Sequence, residues 1–111
     1  MAEIGSILNR LDELFSIGNT KNIQCFLEEQ IKNAIENGET DNLITLLNEM
    51  IGFCRDMGFF DMGDTYCERL LRLVEGDGYK DTIAYATTLL NVGNYKKKKK
   101  EFSFSEGCYQ K

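Results

Sequence analysis

The chain has 111 residues, of which 42% are hydrophobic and 28% charged. That balance supports a folded core and excludes a disordered or fibrous polypeptide. There is no histidine, which removes the commonest general base and the commonest metal ligand, and no proline to break a helix. The net charge of −5 is unevenly placed: residues 1–95 carry 7 Lys/Arg against 16 Asp/Glu, and residues 96–111 carry 6 Lys against 2 Glu. An acidic body repels nucleic acid and anionic membrane, so neither is expected as a partner.

Apolar residues recur at three and four positions almost throughout, the period of an amphipathic helix. The first such segment carries Ile4, Ile7, Leu8, Leu11, Leu14 and Phe15, and Gly18-Asn19 ends it. Thr20 is placed to cap a second helix bearing Ile23, Phe26, Leu27, Ile31, Ala34 and Ile35, which Asn37-Gly38 stops. Thr40 or Asp41 opens a third, whose wide apolar stripe (Leu43 to Met57) predicts burial between neighbours; Gly58 ends it.

A fourth helix holds Phe59, Phe60, Met62, Tyr66, Cys67, Leu70, Leu71 and Val74. The segment Glu75-Gly76-Asp77-Gly78 reads as a linker; it lacks the ligand count and spacing of a calcium loop. A fifth helix follows with Ile83, Tyr85, Ala86, Leu89, Leu90 and Val92, and the Lys96–Lys100 run is expected at its end, where positive charge suits the helix dipole. A short last helical segment contains Phe102, Phe104, Cys108 and Tyr109. No stretch alternates as a strand would.

Chemistry-bearing motifs are absent from the sequence. Cys25, Cys54, Cys67 and Cys108 show no CxxC spacing and read as reduced thiols, so no metal and no cofactor is expected. Asp12-Glu13 and Glu28-Glu29 are helix neighbours that do not face each other, and no phosphate loop or nucleophile–base pair is visible. An enzyme is not expected. Met1-Ala2-Glu3-Ile4-Gly5-Ser6 lacks the basic end and apolar run of a secretory leader, no segment approaches a membrane span, and a cytoplasmic setting fits the thiols.

The helices pair off as 3–37, 40–75 and 79–111, within one domain over 1–111. Turns expected at Gly18, Gly58 and Lys100 stand 40 and 42 positions apart. Aligned on them, Ile7, Leu47 and Leu89 correspond, as do Thr20, Phe60 and Phe102, then Ile23, Gly63 and Ser105, then Leu27, Cys67 and Tyr109. Val92-Gly93 looks like a Leu-Gly pair, and Ser105 precedes Tyr109 at the interval of a small residue before an aromatic. These features, most of all Tyr85–Tyr95, resemble the tetratricopeptide repeat in its longer-period form, as found in kinesin light chains and many bacterial proteins. The signature Trp and the closing Pro are missing, Ile23 is bulky where a small residue is usual, and Lys96 and Lys100 replace a core residue and a turn glycine.

The resemblance implies an all-α, right-handed superhelical stack of antiparallel helix pairs, an α-solenoid of five to six helices whose last repeat is incomplete. It further implies a concave face that holds a protein or peptide partner. The outward residues of that face would be Asn9 and Asp12, then Asn48, Gly52 and Arg55, then Asn91, Asn94 and Lys97. An amide offers both donor and acceptor, so a row of asparagines suits the backbone of a bound peptide. The alternative is a structural unit that forms a homodimer through an apolar edge near Phe102, Phe104 and Tyr109.

Overall fold

The computed structural model describes the backbone of residues 3–76, 78–79 and 81–109, with side chains through residue 102. The described residues are all helical apart from turns: α1 Ile4–Ile17, α2 Thr20–Glu36, α3 Thr40–Met57, α4 Phe60–Glu75 and α5 Ile83–Tyr109. The chain divides into two compact units, Met1–Leu46 and Leu47–Lys111, with the boundary inside α3.

Four glycines set the connections. Gly18, Gly38, Gly58 and Gly78, each twenty positions after the last, adopt the left-handed backbone that other residues reach only at a cost. At Gly18 the amide donates to Leu14 O, closing α1, and the Asn19 side chain then accepts from the Asn22 amide to open α2. The cap is thus Asn19 rather than Thr20, because Thr20 already has helical backbone. At the α3 end the Phe59 amide reaches back to Cys54 O at 2.9 Å, the six-to-one bond of a Schellman turn.

In the first unit α1 packs on α2. Their buried stripes are Ile7, Leu11 and Leu14 on one side and Ile23, Leu27, Ile31 and Ala34 on the other, with Leu43, Ile44 and Leu46 of α3 also buried. In the second unit the core comprises Leu47, Met50, Ile51, Phe53 and Cys54 of α3, Cys67, Leu70 and Val74 of α4, and Val92 and Tyr95 of α5. The Phe53 and Phe59 rings meet edge to face across the α3–α4 turn at 5.8 Å.

The last helix differs from its sequence-based expectation. No turn occurs at Lys100; α5 runs unbroken to Tyr109, so the Lys run lies in a helix interior and residues 79–111 do not form a pair. The physical reason is local. Lysine is a good helix former, and no glycine, asparagine or proline stands near position 100 to take left-handed backbone or stop the ladder. Phe102 then stacks on Phe60 of α4 at 5.3 Å, and this contact holds α5 along α4 beyond the run. Leu89, aligned with the buried Ile7 and Leu47, is exposed instead. Phe104, Ser105, Cys108 and Tyr109 fall outside the residues whose side chains are described.

Candidate binding face and the cluster that supports it

The expected site residues fall in different units. Asn9 and Asp12 are exposed on α1 in the first. Asn48, Gly52, Arg55, Asn91, Asn94 and Lys97 belong to the second, and here two of the asparagines meet. The Asn91 Nδ2 donates to Asn48 Oδ1 at 2.9 Å, and Asn48 Nδ2 donates to Thr88 Oγ1 at 3.1 Å. Thr88 is fully buried while both asparagines are half-buried. The ladder therefore ties α3 to α5 with its inner end dry and its outer end at the surface.

Asn48, Gly52 and Arg55 follow one another at four and three on α3, so they form a single stripe. A Cβ built on Gly52 would meet nothing within 4 Å, which leaves open space directly beside the amide pair. Arg55 Nε is bonded to its neighbour Asp56 at 3.0 Å. On α5, Asn94 and Lys97 continue outward from Asn91 at steps of three, and both are exposed.

Behind this face lies a cluster that the sequence reading missed. Tyr95, fully buried, sets its hydroxyl 2.7 Å from Phe60 O and 2.9 Å from the Asp64 carboxylate, its single proton shared between the two acceptors. Lys99, one turn on, donates to the other oxygen of Asp64. The Tyr95 ring also packs edge to face on Phe60 at 5.8 Å. Burial, and then the hydrogen bond to Asp64, holds the Tyr95 phenol far above its ordinary range. The Lys99 ammonium, with help from the Tyr95 hydroxyl, holds Asp64 below its ordinary carboxylate value. Burial pushes the Cys67 thiol up to about 11, and the Asp64 charge adds to the effect, so this cysteine is an inert core side chain at neutral pH.

No family model matches the chain, and no curated protein and no solved structure matches it.

The signals for the cluster were present but divided. Tyr95 closes the repeat-like stretch Tyr85–Tyr95 and stands immediately before the Lys run, with no partner named for its hydroxyl in the sequence. Gly63 aligns only with Ile23 and Ser105 in the sequence; the side chain that needs the space there is Tyr95 of α5. Among the described residues no group of three or more His, Cys, Asp or Glu is arranged to hold a metal ion. Among them, too, no helix is long and apolar enough to cross a membrane.

Proposed function

We propose that this chain is a non-enzymatic protein-interaction module that holds an extended peptide along the Asn48–Gly52–Arg55 stripe of α3 and the adjoining Asn91 and Asn94 positions of α5, with Lys97 farther round the helix. The observation that carries the reading is the open space at Gly52 beside a half-buried amide pair. A peptide backbone laid there meets donors and acceptors that are already oriented by Thr88, so little side-chain entropy is lost on binding. Left-handed glycines at a twenty-residue interval support the repeat architecture that the sequence resembles, in which helix hairpins stack as a right-handed α-solenoid. A cytoplasmic setting accords with the free thiols at Cys25, Cys54 and Cys67.

The test is selection of a random peptide library against the immobilised chain, followed by titration against Asn91→Ala and Gly52→Arg. Peptides that lose tenfold or more in affinity with both variants support the reading. No enrichment, or peptides indifferent to both substitutions, rejects it.

A second reading is self-association. It is favoured by large apolar residues that α5 leaves in solvent, Ile83 at 86%, Leu90 at 64% and Leu89 at 46% exposure. The edge expected near Phe102 is a weaker candidate, because that ring is already engaged by Phe60.

A further inference from the structure

The outward side of α5 has an order of its own. Ile83, Ala86, Leu90, Gly93, Lys97 and Lys100 follow one another at steps of three, four, three, four and three, the spacing of a seam between two helices. The residues of α5 that pack inward (Thr88, Val92, Tyr95) lie on the opposite side. The helix thus carries two seams. The inner one is filled by α3 and α4, and Ile83, Ala86, Leu90, Gly93, Lys97 and Lys100 are all exposed. Ala86 and Gly93 are small, and a Cβ on Gly93 would meet nothing within 4 Å, so a second helix could approach closely here.

The seam is graded along its length. Its first half is apolar, its second half is cationic, and it spans about 26 Å at 1.5 Å per residue. Just before it lies an acidic segment with Glu75 and Asp81 exposed. Lys99 is occupied by Asp64, whereas no ion pair engages Lys97 or Lys100 among the described residues.

From this gradient we infer that the outer seam of α5 packs antiparallel against the same seam of a second copy, about a two-fold axis beside Leu90. The inference rests on the self-association reading and specifies its surface. In that arrangement each Ala86 sits between Gly93 and Lys97 of the other copy. Each Ile83 covers the aliphatic stems of the opposing Lys97 and Lys100. The ammonium groups reach the opposing Asp81 end, so opposite charges meet. The two Lys runs lie roughly 20 Å apart, beyond the screening length of about 8 Å at physiological salt. A parallel pair would instead set ten lysines side by side. One helix pair is a small interface, so the dimer dissociates in the micromolar range or above.

Sedimentation velocity over a wide concentration range tests this on the full chain. The expected result is a monomer–dimer equilibrium whose dissociation constant rises tenfold or more in Leu90→Glu, an exposed position where folding is not at risk. It rises likewise in Lys97→Glu/Lys100→Glu, and adding Asp81→Lys to that pair restores association. In a Cys25→Ser/Cys108→Ser background, Leu90→Cys should cross-link under mild oxidation and Ile83→Cys should not. A monomer at every concentration overturns both the inference and the self-association reading. A dimer indifferent to the α5 substitutions, or equal cross-linking at both positions, overturns the antiparallel seam alone.

Discussion

Gly63 of α4 and Tyr95 of α5 occupy one space: a Cβ built on Gly63 would lie 2.5 Å from the Tyr95 hydroxyl oxygen and 2.7 Å from its Cζ. The hydroxyl is held there by Phe60 O and Asp64, so the ring cannot withdraw without breaking both bonds. Gly63→Ala is therefore expected to destabilise the second unit by about 2 kcal/mol, as overpacking does. Helix propensity alone predicts the opposite sign, a gain of about 1 kcal/mol. Gly52→Ala, which meets nothing, serves as the control and should stabilise. Urea denaturation of both variants checks the pair of signs. A second test is Gly63→Ala/Tyr95→Leu, whose cost should fall well short of the sum of the two single changes.

Gly58 carries the turn that brings Phe59 and Phe53 together, with φ of 75°. Gly58→Ala forces an L-residue into left-handed backbone at a cost of about 1–2 kcal/mol. Gly58→Asn should cost less, because asparagine visits that region more readily. Equal melting temperatures for the two variants would contradict the account.

The helices and the turns that end the first three were legible in the sequence because their signals are local. Gly18, Gly38 and Gly58 each follow an apolar stripe whose last turn buries Leu14, Ala34 or Cys54, while the stripe's final member (Phe15, Ile35 or Met57) is exposed. The last helix was misread because its stop was inferred from the spacing of earlier turns, while Lys96–Lys100 supply no residue able to make one. The two interlocking groups of the second unit were invisible for a different reason. Asn48 with Asn91, and Asp64 with Lys99, are paired across 43 and 35 positions. No periodicity within a helix reports on such a pairing. The asparagines were singled out for their chemistry and turn out to hold each other.

Thr88 anchors that amide pair from the buried end. Thr88→Val keeps the shape and removes the acceptor for Asn48 Nδ2, so it should cost about 1–2 kcal/mol. Thr88→Ser keeps the hydroxyl and should cost less than Thr88→Val, although it leaves a methyl-sized gap. The check is the urea midpoint at unchanged slope, which separates lost stability from altered compactness. A greater loss in the serine variant would mean that packing, not the hydrogen bond, is what Thr88 supplies.

Asp64 gives the unit a defined acid limit. Its carboxylate accepts from Lys99 and Tyr95, and its folded value lies below the ordinary 3.8. A group depressed on folding contributes stability that is present above its unfolded value and lost as pH falls through the folded one. The Asp64 share should therefore be intact at neutral pH and fade as pH falls from about 4 through the folded value. The side chain is 46% exposed and its Lys99 partner 40%, so solvent screens the pair and the share is at most ~1 kcal/mol. Asp64→Asn should be less stable than the native chain at pH 7, and the difference should shrink as acid protonates Asp64 in the folded chain. Tyr95 sets the opposite arm. Its phenol is raised on folding, so its contribution is complete below the unfolded value near 10 and falls as pH rises past it. Tyr95→Phe should flatten stability against pH on the alkaline side and leave the acid arm to Asp64. An alkaline arm unchanged in Tyr95→Phe would mean that the buried hydroxyl does not govern it.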